Sequence, residues 1–291
     1  MIEPVLSEAA FLEAVRSRRD EPGFRLWWLG QSGFLLQWNG RHLLLDPYLS
    51  DSLTKKYAAT DKPHVRMTRR LVAPERLDFV DVATSSHNHT DHLDAETLGP
   101  LRAANPGLSL VIPEANRAFV AERLRSDPAW PIGLDASQQA EVAGFRIAAV
   151  PAAHEAIERD ADGRCRHLGY VVSFGGWSLY HPGDCVPYDG QVEALRPFRV
   201  DLALLPINGR APERRVPGNF DGPEAARLAH AIGARFAVPC HYEMFEFNTA
   251  SPDAFVAEAD RLGQPVRVLR CGGSLTAADL PGAPGAFERR V

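Results

Sequence analysis

Apolar residues recur along this chain at spacings that predict its elements before any chemistry is considered. Within residues 7 to 19, Phe11, Leu12 and Val15 fall at helical spacing, and the segment ends in Arg16, Arg18 and Arg19, cations that suit the negative end of a helix dipole. Pro22-Gly23 stops it. Three apolar runs follow, Arg25 to Leu29, Phe34 to Trp38 and His42 to Leu45, split by Gly30 to Gly33 and by Asn39-Gly40. Asn-Gly tolerates the positive φ of a tight hairpin, so the runs predict a β-meander ending at Asp46-Pro47. Residues 50 to 76 lose periodicity and collect Lys55, Lys56, Lys62, Arg66, Arg69 and Arg70. They read as a long loop with little to bury, either a solvated flap or an anion-recruiting wall.

Phe79 to Thr84 predicts a strand, followed by a short helix from about Asp94; Ser109 to Ile112 and Glu114 to Leu124 repeat the order. From Val142 the pattern turns to strands again: Phe145 to Val150, Leu168 to Phe174 and Ser178 to Tyr180. Then Asp201 to Leu205, Phe236 to Pro239 and Val266 to Leu269 read as strands, with helices over Pro223 to Ile232 and Pro252 to Leu262. Each half thus opens with a meander and closes with β-α alternation. That order predicts an α/β fold, an αββα sandwich of two mixed sheets with helices on the outer faces. We divide the chain into an N-terminal helical extension over 1–24 and a single domain over 25–291.

Composition changes this picture little. Of 291 residues, 45% are hydrophobic and 24% charged, and the formal charge of −5 gives no reason to expect nucleic acid or an anionic membrane as partner. No run of about 18 apolar residues is present, and the start is acidic, with Glu3 and Glu8, where a signal peptide carries positive charge. A cytoplasmic protein is expected. Cys165, Cys185, Cys240 and Cys271 have no C-x-x-C spacing, which favours reduced thiols.

Candidate chemistry changes it a great deal. Directly after the strand ending at Thr84, the stretch His87-Asn88-His89-Thr90-Asp91-His92 packs three imidazoles and a carboxylate into consecutive positions. In an extended or turn conformation His87 and His89 converge on one point while Asp91 and His92 address a second. Further ligand types sit just after predicted strands: His154 after Val150-Pro151, Asp184 after Gly183, and His241 after Cys240. A simple allocation gives His87, His89 and His154 to one divalent ion and Asp91, His92 and His241 to another, with Asp184 bridging. Imidazole suits Zn, Fe, Ni or Mn, and a bridging carboxylate suits a pair of ions. Water shared by two such ions loses a proton near neutral pH and becomes a nucleophile, with Asp91 placed to handle protons.

H-x-H-x-D-H followed by a lone His, a lone Asp and a final His resembles the metallo-β-lactamase superfamily, over about Arg25 to Thr276. Within that span, Trp28-Leu29-Gly30-Gln31-Ser32-Gly33-Phe34, Asp46-Pro47-Tyr48-Leu49-Ser50-Asp51, Pro206-Ile207-Asn208-Gly209-Arg210, Gly218-Asn219-Phe220 and Pro239-Cys240-His241-Tyr242-Glu243-Met244-Phe245 are similar to the L-ascorbate-6-phosphate lactonase group. The resemblance implies a hydrolase dependent on zinc or manganese that opens a lactone ring on a phosphorylated sugar acid. It also implies that Asp46 orients a ligand histidine, that Asn208 and Arg210 lie near the substrate mouth, and that copies of the chain associate. The leading expectation is therefore a dinuclear hydrolase acting on a lactone or cyclic ester of a small anionic, sugar-derived molecule. Rival expectations are a phosphodiesterase acting on RNA, a cyclic nucleotide or a phospholipid headgroup, and a metal-binding or redox-sensing protein without turnover. For His42, His64, His167, His181 and His230, and for the Trp27-Trp28 pair, structural roles are expected.

Overall fold

The computed structural model describes residues 1–281; the end of the predicted domain, 282–291, lies outside the described residues. Strand β1 (Phe24–Gly30) shows how period-2 patterning builds two cores at once: Leu26 and Trp28 enter one apolar cluster, Trp27 and Leu29 another. It pairs antiparallel with β2 (Gly33–Trp38), which pairs antiparallel with β3 (Arg41–Leu45). From there the sheet continues in parallel through β4 (Val82–Thr84), β5 (Ser109–Pro113) and β6 (Ile132–Leu134). The second sheet repeats the plan. Its antiparallel strands are β7 (Gln139–Val142), β8 (Phe145–Pro151), β9 (Leu168–Phe174) and β10 (Trp177–His181). Parallel strands β11 (Leu202–Pro206) and β12 (Phe236–Cys240) complete it, while β13 (Ser274–Thr276) returns to flank β1 in the first sheet.

Helix α1 (Glu8–Ser17) is capped by Ser7, whose hydroxyl accepts from the Ala10 amide, and buries Phe11, Leu12 and Val15 against the outer face of the first sheet. Helix α2 (Ser52–Tyr57) lies in the basic segment, and α3 (Ala95–Ala104) and α4 (Arg117–Leu124) join α1 on the first sheet's outer face. Among α5 (Gln191–Leu195), α6 (Gly222–Ala231) and α7 (Asp253–Leu262), the last two pack on one another, burying Ala225, Ala226 and Phe255. The result is the αββα sandwich of two mixed sheets.

Three expectations need correction. The segment 50 to 76 is not a loop with little to bury: it carries α2, and Leu53, Leu71 and Val72 are buried. Leu53 packs with nearby Tyr48 and with Met244 and Phe245, the last two nearly 200 residues away, where no local periodicity can signal them. Val266 to Leu269 forms no strand beyond one bridge from Val266 to Ala237, because Val268 faces solvent and only Leu269 is buried. The strand before the histidine cluster is only Val82–Thr84. All four cysteines are free and buried, and no helix among the described residues is long and apolar enough to cross a membrane.

Candidate metal centre

Strand ends from both sheets meet at one edge of the sandwich. From the first sheet comes the loop after β4, held because Asp94 caps α3 by accepting from the Glu96 amide and the Thr97 hydroxyl, which fixes the chain just beyond His92. From the second come His154 after β8, Asp184 after β10 and His241 immediately after β12. His241 has φ +62° and Gly183 φ +66°, turns that aim His241 and Asp184 back toward the loop.

The seven side chains fall into two groups, His87, His89, His154 and Asp184, and Asp91, His92, Asp184 and His241, within each of which one ligand atom per residue lies within 4.8 Å of the others. In the first, His89 Nδ1 lies 3.0 Å from His87 Nε2 and 3.1 Å from His154 Nε2, while Asp184 Oδ2 is 3.3 Å from His154 Nε2. In the second, Asp184 Oδ1 is 3.2 Å from His92 Nε2 and 3.3 Å from His241 Nε2, and Asp91 Oδ2 is 3.5 Å from His241 Nε2. Asp184 thus turns one oxygen to each group.

Outer partners fix which ring nitrogens face inward. His154 Nδ1–H donates to the Gly218 carbonyl at 2.9 Å, and His92 Nδ1–H donates to Asp46 Oδ2 at 2.7 Å, so in each ring it is Nε2 that faces the centre, to carry a proton or, once deprotonated, to offer its lone pair to a cation. Asp46 is buried with φ +39° and also receives the Ser86 and Thr84 hydroxyls. Electrostatics ask for positive charge here. Burial alone would depress the His92 and His241 rings, but Asp184 and Asp91 overcome it, lifting His92 well above its ordinary range and His241 to about 9. His87 goes the other way, held well below by burial and by the neighbouring imidazoles His92, His89 and His154. Burial would raise Asp184, yet the His241 and His92 charges hold it well below the usual carboxylate range. A buried carboxylate pair ringed by imidazoles is satisfied by protons or by cations. His92 Nε2 and Asp184 Oδ1 are buried without a hydrogen-bond partner, and three imidazole nitrogens about 3 Å apart have too few protons to share. The donor set fits divalent metal.

A cavity of about 270 Å³ opens directly on His89, Asp91, His154, Asp184 and His241. One wall is apolar, with Leu53, Tyr57 and Phe245; Lys56 and Arg123 supply positive charge, Arg215 joins them while paired to Asp61 at 2.7 Å, and His64 stacks on Tyr57 with ring centroids 4.2 Å apart. Of these, Lys56 belongs to the basic segment read as a possible anion-recruiting wall and Arg215 to the basic run after Arg210; Leu53, Tyr57, His64, Arg123 and Phe245 were not singled out as site residues, because each reaches the cavity through the fold of a segment without ligand-like spacing. A larger open groove of about 780 Å³ runs along Arg66, Arg69 and Arg70, beyond His64 and away from the seven side chains.

Asn208 and Arg210 do not line the cavity over the cluster. Arg210 turns to Glu224, with Nη2 2.6 Å from Oε1, and Asn208 is buried between Asn219, whose Nδ2 donates to its Oδ1 at 2.9 Å, and Asn248, whose Oδ1 accepts from its Nδ2 at 2.9 Å. Asn219 Oδ1 in turn accepts from the Cys185 amide at 2.7 Å, so this amide chain braces the backbone beside Asp184. His181 donates from Nε2 to the Ser32 carbonyl at 2.9 Å and joins neither group, whereas the His167 ring lies 5.1 Å from that of His87, behind the first.

Two mixed sheets with outer helices and a His/Asp cluster at their joined strand ends define a metallo-β-lactamase fold, the scaffold of metal-dependent hydrolases. Residues 25–241 match the β-lactamase superfamily domain, and the chain belongs to that superfamily, within its UPF0173 metal-dependent hydrolase family. The protein of that family from Opitutus terrae is 31% identical over 259 residues, covering 86% of this chain and 99% of its own length; that from Aeropyrum pernix is 27% identical, covering 86% and 96%. Among solved structures, the metallo hydrolase Igni18 from Ignicoccus hospitalis aligns with a TM-score of 0.63 at 22% identity, over 87% of this chain and 97% of that one. An isothiocyanate hydrolase from Delia radicum gut bacteria aligns with a TM-score of 0.67 at 18% identity, over 87% and 98%. These two likenesses are of fold.

Proposed function

We propose that the chain is a hydrolase with two divalent ions that opens a lactone or similar cyclic ester of a small anionic molecule. The observation that carries this is the cavity: about 270 Å³, directly over the two ligand groups, with Lys56, Arg123 and Arg215 among its lining residues. That volume falls just below the usual small-molecule range, roughly 300–1,000 Å³, which suits a small substrate, and it is not the extended basic groove a polynucleotide requires. The sequence likeness to L-ascorbate-6-phosphate lactonases supports the same reading.

His87, His89 and His154 would hold one ion, Asp91, His92 and His241 the other, and Asp184 both. When bound, divalent ions acidify water and stabilise charge developing on a carbonyl oxygen. The chain's own residues do the rest. Lys56 and Arg215 hold the substrate's anionic group, and the Leu53, Tyr57 and Phe245 wall covers its carbon skeleton and excludes water. Asp91, facing the cavity, is placed to take the proton of the attacking water and return it to the alkoxide released when the ring C–O bond breaks.

Metal analysis of natively purified protein, paired with assays on charged and neutral lactones, cyclic nucleotides and phosphodiesters, tests the reading. We expect two equivalents of metal, opening of anionic lactones, and a KM raised about tenfold by Lys56→Ala or Arg215→Ala for anionic lactones only, the effect of one weakened ion pair of about 1.4 kcal/mol. Phosphodiester turnover without lactone opening, or bound iron with no hydrolysis at all, would overturn it.

A further inference from the structure

Three buried imidazoles of the centre have an outer partner at Nδ1: Ser86 Oγ lies 3.0 Å from His87, and His92 and His154 are held by Asp46 and the Gly218 carbonyl. His241 differs, for its Nδ1 is buried with no hydrogen-bond partner. Its orientation is set from the other side, by Gln31 in the turn between β1 and β2. The His241 amide donates to the Gln31 carbonyl at 2.9 Å, the Trp28 indole donates to the same carbonyl at 2.9 Å, and the Gln31 side-chain nitrogen lies 3.0 Å from His241 Nε2. That nitrogen also donates to Asp91 Oδ2 at 2.8 Å. Gln31 itself is fully buried, at φ +52°.

We infer that Gln31 is a positioning residue that clamps Asp91 and His241 together and so sets the affinity of the second ion independently of the first. Asp91 stands on the loop after β4 and His241 at the end of β12, in different sheets, and Gln31 bonds both, Asp91 through its side-chain amide and the His241 main chain through its backbone carbonyl, leaving His241 Nε2 free for the ion. An amide donor suits the task because it occupies one lone pair of the carboxylate, leaves the others for a cation, and adds no charge of its own. Its carbonyl anchors the His241 backbone in the same stroke. None of the Gln31 contacts reaches His87, His89 or His154, so the first group is built without it. The inference rests on the cluster being a two-ion centre.

Stepwise Co2+ titration of metal-free protein, read by visible absorbance and by cobalt content after desalting, tests it with Gln31→Ala and with Gln31→Met, which keeps the volume but has no donor. His154→Ala identifies which binding class belongs to the first group. We expect both Gln31 variants to keep one Co2+ at wild-type affinity and to bind the other about 10- to 100-fold more weakly, as loss of an outer-shell partner does, while metal-free melting stays close to wild type. Two Co2+ at wild-type affinity in both variants overturns the inference, and so does parallel loss of both ions or failure of both variants to fold, since either assigns Gln31 to general architecture. Wild-type protein that takes up fewer than two Co2+ overturns the two-ion reading, and this inference with it.

Discussion

Gly183 carries more of the centre than its missing side chain suggests. A Cβ built there would stand 2.1 Å from Ser86 Oγ and 2.4 Å from Ser86 Cβ, at φ +66°. Ser86 Oγ is the atom that donates to Asp46 and touches His87 Nδ1, so a methyl group at 183 would strain the turn into Asp184 and push Ser86 off two anchors. Gly183→Ala should cost roughly 1–3 kcal/mol of stability and most of the bound metal, measured by thermal melting and metal content. Unchanged metal content would show that the turn relaxes. His42 gives a second prediction at this scale. Burial pushes its pKa down to about 4 against the pull of Asp81. Above pH 6.5 the ring is neutral folded and unfolded, so it costs nothing; between 6.5 and about 4 the unfolded ring takes a proton that the folded one refuses, and stability falls. The loss by pH 4.5 should be roughly 2–3 kcal/mol, absent in His42→Phe when urea unfolding is compared at pH 7 and pH 4.5. An equal acid loss in both proteins would refute it.

Arg66 pins the element that walls the cavity. Its side chain is only 8% exposed, pairs through Nε with Asp51 at 2.7 Å, donates to the Ser50 and Thr68 carbonyls, and lies over the Tyr48 ring. Arg66→Ala leaves those carbonyls without their donor and should cost about 2 kcal/mol, speed proteolysis between residues 50 and 70, and raise KM more than it lowers kcat. Lys55→Ala, removing the solvent-exposed pair with Glu96, should leave the same melts essentially unchanged. A KM unchanged in Arg66→Ala would mean that α2 does not contact substrate. This wall is also where the sequence was least legible. Runs such as Phe145 to Val150 and Leu168 to Phe174 declare their faces by composition and spacing, and the resulting strands match to within a residue. That the His and Asp residues after strand ends would gather in one place was equally readable, since side chains of those types there have few cheaper uses than the crevice. A six-residue helix whose one buried leucine meets Tyr48, Met244 and Phe245 leaves no such mark, and whether Arg210 reaches substrate or Glu224 depends on a helix cap 14 residues on.

At the scale of the molecule, metal held by the seven side chains would cross-link the two sheets. His87 to His92 belong to a loop of the first sheet, His154, Asp184 and His241 to the second, and Asp184 turns one oxygen to each group. Without cations, buried Asp46, Asp91 and Asp184 must be balanced by protons on His92, His154 and His241, all lifted above the ordinary imidazole range once burial is outweighed by the carboxylates. Ions that bind only the folded chain add stability by mass action, about 2.7 kcal/mol for each one present at 100 times its Kd, or roughly 4–5 °C of melting temperature for a chain of this size. Dialysis against a chelator should therefore lower the melting temperature by at least that much, and restoring divalent metal should recover it in proportion to the logarithm of its concentration. Asp184→Asn keeps the shape but loses the charge that faces both groups, so its melting temperature should respond to neither chelator nor metal. Wild-type protein shown to be metal-free yet melting at the holoprotein temperature would mean that the apolar core alone fastens the sheets together, leaving the ions a purely chemical role.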